Sequence, residues 1–169
     1  MKIPWSGRAH SFEKNEINFL TNIIKNADPL TQGKYLKLFE KKFGNFIKKK
    51  NVFAVSSAAA ALEIISLLLG IKKNDEIIIP AHTYCATAIP FARNGAKIVW
   101  SDINFKTRTV DLGDIKKKIT PKTKAIVIVH LYGYAVDFRN IISFCKKKNI
   151  KIIEDCAQAI GAEVGGKKV

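Results

Sequence analysis

Cysteine, arginine and long apolar runs are all scarce in this chain, and each shortage excludes something. Three cysteines occur in 169 residues, at Cys85, Cys145 and Cys156. They form no CxxC pair and no cluster with histidine, so neither a metal site nor a disulfide framework is expected. An odd, scattered set suits reduced thiols in a reducing compartment. Cys156 adjoins Asp155, but no recognisable motif places His82 or His130 to activate it as a nucleophile. The longest apolar run, near Ile64-Ile65-Ser66-Leu67-Leu68-Leu69, is too short to span a bilayer. The opening Met1-Lys2-Ile3-Pro4-Trp5-Ser6-Gly7-Arg8 lacks the apolar core of a signal peptide. A cytoplasmic protein without a membrane partner is therefore expected.

Acidic residues are also few: 14 against 29 lysines and arginines, a formal net charge of +15. The excess is nearly all lysine, since the arginines are Arg8, Arg93, Arg108 and Arg139. Lysines gather as Lys48-Lys49-Lys50, Lys116-Lys117-Lys118 and Lys146-Lys147-Lys148, each at or near the end of an expected helix, where cations suit the helix dipole. No aromatic residues interleave with them, so solvated faces are expected rather than a specific nucleic-acid surface. The charge still motivates one alternative, a non-catalytic basic binding protein.

What is present is a core. With 47% hydrophobic and 25% charged residues, the chain has the texture of a soluble globular domain. Residues 1–10 read as an irregular arm. Phe12, Ile17, Leu20, Ile23 and Ile24 recur at helical spacing up to Asp28-Pro29, and Thr31-Gln32-Gly33 reads as a loop. Tyr35, Phe39, Phe43 and Phe46 mark a second amphipathic helix whose aromatics are expected in the core. From residue 51 short strands and helices alternate. Strands are expected over residues 52–55, 76–79, 97–100, 125–129 and 151–153. Helices are expected over residues 58–69, 83–94, 112–119 and 137–148. Gly165-Gly166 reads as a turn. Such alternation, with apolar strands, predicts an α/β fold: a mostly parallel sheet with helices on both faces.

The most informative stretch is Ile152-Ile153-Glu154-Asp155-Cys156-Ala157-Gln158-Ala159, in which an apolar run ends in two carboxylates. A buried parallel strand would deliver Asp155 into the crevice where α/β sheets bind ligands. A buried acid needs a partner, and the protonated ring nitrogen of pyridoxal phosphate is a good one. Asp155 as a helix N-cap is the other reading. Two more loops should open at the same edge. Ser56-Ser57-Ala58-Ala59-Ala60-Ala61-Leu62 has small residues that let backbone N–H groups approach an anion at a helix start. Pro80-Ala81-His82-Thr83-Tyr84-Cys85-Ala86-Thr87 places Tyr84 near a helix start, either stacking on a flat ligand or packed in the core. An anion nest, an aromatic and a buried acid together fit a phosphorylated aromatic cofactor.

Several segments carry a resemblance. They are Leu30-Thr31-Gln32-Gly33 with Phe39-Glu40, Gly70-Ile71 with Asp75-Glu76-Ile77-Ile78, Thr120-Pro121-Lys122-Thr123-Lys124-Ala125-Ile126, Val129-His130-Leu131-Tyr132-Gly133 and Glu154-Asp155-Cys156-Ala157-Gln158-Ala159. In that order, they make the chain resemble the amino-terminal part of the DegT/DnrJ/EryC1/StrS family of pyridoxal-phosphate-dependent sugar aminotransferases. The resemblance implies the large domain of aminotransferase fold type I, incomplete at its carboxyl end. Residues 1–50 would be an N-terminal arm and helices, residues 51–169 the first part of the cofactor-binding domain, and the small C-terminal domain absent.

The resemblance also implies roles. Asp155 would pair with the pyridine nitrogen of pyridoxal 5'-phosphate, Gln158 would hydrogen-bond the phenolic oxygen, and Tyr84 would stack on the ring. Ala58 and Ala59 would occupy the phosphate turn, where the family has Gly-Thr. The backbone donors remain, but the hydroxyl is lost at Ala59, worth about 1 kcal/mol. The Schiff-base lysine would lie beyond the chain end, so no catalytic residue is assigned and the chain is expected to be inactive alone. The implied partners are a nucleotide-linked keto sugar, an amino donor such as glutamate, and a second copy in a homodimer. A sugar dehydratase of the same family, with histidine in place of that lysine, is the alternative within the resemblance.

Overall fold

The computed structural model describes residues 11–169; the expected arm over residues 1–10 lies outside them. The chain divides into two compact units, one running up to Ala54 and the other from Val55 to Val169.

The first unit holds α1 (Lys14–Asn26) and α2 (Lys34–Ile47). Both helices form where the apolar spacing indicates, but their apolar faces are not core. No residue of α1 is buried, and in α2 only Gly44 is. Phe39 and Phe46 remain about half exposed. The aromatics pack on one another instead: the rings of Phe39 and Phe43 stack at 5.7 Å, and Phe43 lies 6.3 Å from Phe46. Amphipathic spacing specifies a helix and its sticky side, but burial needs a second surface. Within this unit, two helices do not supply it.

The second unit is an α/β layer structure. Its elements are α3 (Ala58–Leu68), β1 (Glu76–Pro80), α4 (Ile89–Arg93), β2 (Lys97–Ser101), α5 (Leu112–Lys118), β3 (Thr123–Val129), α6 (Arg139–Lys147) and β4 (Lys151–Asp155). The four strands form one parallel sheet in the order β2-β1-β3-β4. Side chains alternate across the pleat. Ile77, Ile79, Ala125, Val127, Val129 and Ile153 pack on one face with Leu62 of α3 and Phe91 of α4. Ile78, Ile126 and Ile128 pack on the other with Ile115 of α5 and with Ile141 and Cys145 of α6. Helices thus cover both faces, as expected. Each fully buried Ile or Phe contributes roughly 1.5–3 kcal/mol through removal from water.

Two local expectations fail for physical reasons. Residues 52–55 form no strand. They are apolar and two of the four are β-branched, but a strand requires a neighbour, and among the described residues no strand pairs with them. Phe53 is 80% exposed, and the Ala54 N–H bonds the Glu40 carboxylate at 2.9 Å rather than a strand. The expected helix over 83–94 is split into a 3-10 turn, Cys85–Thr87, and the short α4. Pro90 causes the split, because proline lacks an N–H and clashes with the preceding turn of a continuous helix.

Local chemistry closes the remaining elements. Gly165 and Gly166, both at positive φ, form the two-residue turn between β5 (Glu163–Val164) and β6 (Lys167–Lys168). The lysine clusters fall where the dipole favours them. Lys116, Lys117 and Lys118 close α5, Lys146 and Lys147 close α6, and Lys48 caps α2. Asp111 caps the start of α5 through the N–H groups of Gly113 (2.7 Å) and Asp114 (3.3 Å). Substituting Asp111→Ala is expected to lower stability by about 1 kcal/mol. Urea unfolding of the chain and the variant checks this; equal midpoints would show that the cap is idle. Among the described residues, no helix is long and apolar enough to cross a membrane.

Candidate active site

Parallel strands bring their carboxyl ends to one edge. Pro80 pairs with Ser101 and Val129 with Asp155 in the register of the sheet. The loops after β1, β3 and β4 meet there. Period-2 alternation separates the two acids at the end of β4. Asp155 shares a side with Ile153, toward the α3/α4 layer, while Glu154 faces the opposite side and meets His130.

Asp155 is 8% exposed. Its Oδ2 accepts a hydrogen bond from Thr87 Oγ1 at 2.8 Å, and its Oδ1 accepts one from the Ala157 N–H at 3.1 Å. Its backbone carbonyl accepts from the His130 N–H at 3.0 Å. Among the described residues, no lysine or arginine lies within ion-pair distance of it. The N-cap reading fails, because residues 156–162 form turns and no helix follows. What stands at the strand end is a buried carboxylate, oriented from two sides and lacking a countercharge.

The other candidates surround it unevenly. Tyr84 is 69% exposed immediately before the Cys85–Thr87 turn, so it is not a core residue. Ala58 and Ala59 open α3, whose N-cap Ser57 accepts the Ala60 N–H through its side chain at 3.1 Å. The first N–H groups of a helix have no partner within it and form a ready anion site. Ala59 lines a shallow groove together with Ala86 and Pro90, which brings the start of α3 beside the turn that carries Thr87. Gln158 is exposed, and its Oε1 accepts the Tyr132 N–H at 3.2 Å. The structure therefore ties Gln158 to the loop after β3, not to Asp155. The Tyr132 ring lies 6.0 Å from the His82 ring. Both residues line a larger groove, of about 1050 Å³, bordered by Lys106, Arg108 and Tyr134.

Sequence reasoning missed Thr87, Thr83, Tyr132 and the His130–Glu154 pair. The four-residue spacing of Thr83 and Thr87 was visible, but only the fold reveals what Thr87 meets, 68 residues away. His130 is fully buried. Its Nδ1 accepts the Val136 N–H at 2.9 Å, which leaves the proton on Nε2, 3.3 Å from Glu154 Oε2. Cys156 lies close to this pair. Burial and the negative charges of Glu154 and Asp155 push its thiol up to about 12. In the metal-free chain the thiol is therefore protonated, and the Nδ1 lone pair of the imidazole is taken by the Val136 N–H. The same thiol is a poor nucleophile.

The site thus offers a buried acid without a countercharge among the described residues, an exposed aromatic, a carboxamide and a helix start, all on one sheet edge. These suit a flat ligand with a protonated ring nitrogen and an anionic tail. The chain is 38% identical to a GDP-perosamine synthase of Vibrio cholerae over 159 residues, covering 94% of this chain and 43% of that protein. It is 37% identical to the 3-oxo-glucose-6-phosphate:glutamate aminotransferase of Bacillus subtilis over 169 residues, covering 98% of this chain and 38% of that protein. The fold superposes on an Escherichia coli GDP-4-keto-6-deoxy-D-mannose-3-dehydratase with bound hydrated PLP. There the TM-score is 0.87 at 27% identity, covering 95% of this chain and 42% of the other. The chain thus spans less than half the length of the relatives it matches. Residues 10–169 match the family domain itself, and the chain belongs to the DegT/DnrJ/EryC1/StrS aminotransferase family.

Proposed function

We propose that the carboxyl edge of this sheet holds pyridoxal 5'-phosphate, as part of an enzyme that moves an amino group onto a nucleotide-linked keto sugar. The observation that carries this reading is the buried Asp155 carboxylate, fixed by Thr87 and Ala157 and without an ion-pair partner among the described residues. Asp155 holds a proton at the ring nitrogen of the cofactor. Tyr84 stacks on the ring, Gln158 binds the phenolic oxygen, and the α3 start at Ala58 and Ala59 receives the phosphate. When bound, the cofactor supplies an electron-withdrawing ring that stabilises negative charge on the carbon bearing the amino group. The groove beside His82 and Tyr132 has the size of a site for a large substrate and adjoins the same edge.

Glutamate is the proposed amino donor, in keeping with the name of the B. subtilis relative. A second copy of the chain is the proposed partner subunit. Likeness to the E. coli dehydratase supports a second reading, sugar dehydration on the same cofactor site. Both readings need a residue at the position of the Schiff-base lysine. We place that position outside these 169 residues, which form the first part of the large domain.

The test is titration of the chain with pyridoxal 5'-phosphate, followed by addition of glutamate and a nucleotide keto sugar. Saturable cofactor binding without steady amino transfer is expected. Absence of binding would overturn the cofactor reading, and sustained transfer would overturn the placement of the lysine.

A further inference from the structure

We propose that Thr83 and Thr87 form a positioning relay that sets the orientation of the Asp155 carboxylate; its functional meaning rests on the cofactor reading above. Thr87 is 2% exposed and directly precedes the buried core residue Ala88. Burying a hydroxyl there is unfavourable unless it is bonded, and valine has the same shape without that requirement. The hydroxyl has one proton, and it goes to Asp155 Oδ2 at 2.8 Å. Thr83 Oγ1 lies 2.8 Å from Thr87 Oγ1. Since the Thr87 proton is already committed, Thr83 must be the donor of that bond. Both protons therefore run in one direction, toward the carboxylate.

The backbone at Thr87 is equally fixed. Its N–H bonds the Tyr84 carbonyl at 3.0 Å, closing the turn that follows the exposed Tyr84. Asp155 is thus gripped by the loop after β1 through Oδ2 and by its own following turn through Oδ1. Two grips on two oxygens stop rotation of the carboxylate and leave its remaining lone pairs in a set direction. A hydrogen bond to a charged group is stronger than a neutral one, and charge-assisted chains polarise cooperatively. Thr87 touches neither cofactor nor substrate in this account. It acts through Asp155.

The experiment compares the chain with Thr87→Val, Thr87→Ser and Thr83→Val. Two readouts are taken: pyridoxal 5'-phosphate affinity by fluorescence titration, and cofactor-free crystal structures. Thr87→Val is expected to weaken affinity about tenfold or more, since it removes a bond to a charged acceptor. Thr87→Ser, which keeps the hydroxyl, is expected to return affinity to within about twofold, and Thr83→Val to fall between the two. In the Thr87→Val crystal the carboxylate should turn, while in Thr87→Ser it should not. Unchanged affinity in Thr87→Val, or an unturned carboxylate, would overturn the relay. If the unsubstituted chain binds no cofactor, the cofactor reading fails, and the carboxylate orientation in Thr87→Val still decides the relay.

Discussion

Replacing Asp155 by asparagine is expected to weaken pyridoxal 5'-phosphate binding about a hundredfold while leaving the fold intact. Asparagine has the same shape. Its carbonyl can keep the Ala157 N–H, and its amide can donate to Thr87, whose hydroxyl then turns toward Thr83. The bonds to Ala157 and between Asp155, Thr87 and Thr83 can therefore re-form with the donor order reversed. The negative charge cannot be replaced. A charged hydrogen bond to a buried, protonated ring nitrogen is worth about 3 kcal/mol at the upper end of the usual range, which is about a hundredfold in affinity. Equilibrium titration of both proteins measures this, with thermal unfolding as the control for folding. Equal affinity would mean that Asp155 is not the partner of the ring.

The largest loss of stability is expected from Phe91→Ala. Phe91 is fully buried and packs in the cluster of Leu62, Ile77 and Ile79. It lies in the five-residue α4, where Pro90 is the other buried residue. Truncation removes both the transfer free energy of the ring and the contacts around the cavity, about 3–5 kcal/mol. Against a typical total of about 5–15 kcal/mol, that is a large share. α4 also follows directly on the turn carrying Thr87, so the same change should loosen the grip on Asp155. Urea unfolding gives the first effect. A drop below about 1 kcal/mol would show that the site collapses around the missing ring or that the ring contributes little.

Much of this could be read before the fold was known, because the second unit obeys local rules. β1 and β3 are near-continuous apolar runs buried on both faces, the texture of central parallel strands, and β4 carries the shorter pair Ile152-Ile153 before its two acids. Asp155 stood out because a carboxylate directly after such a run is rarely idle. The failures share one cause, dependence on something distant. Residues 52–55 have strand composition, but among the described residues no strand pairs with them. The α2 aromatics have helical spacing, yet Phe39 and Phe46 stay about half exposed, because spacing along one helix does not say what lies opposite it. Thr87 looks like any helix-start threonine until β4 is placed beneath it. Pro90 is different, since the break it makes was local and could have been read directly from its chemistry.

The central claim is that Asp155 keeps the cofactor ring nitrogen protonated. It is tested most directly by nitrogen-15 resonance of pyridoxal 5'-phosphate labelled at that atom and bound to the chain near neutral pH. The account expects the signal of a protonated pyridine, lost in Asp155→Asn. A bound cofactor whose nitrogen gives the signal of an unprotonated ring in the unsubstituted chain would contradict it.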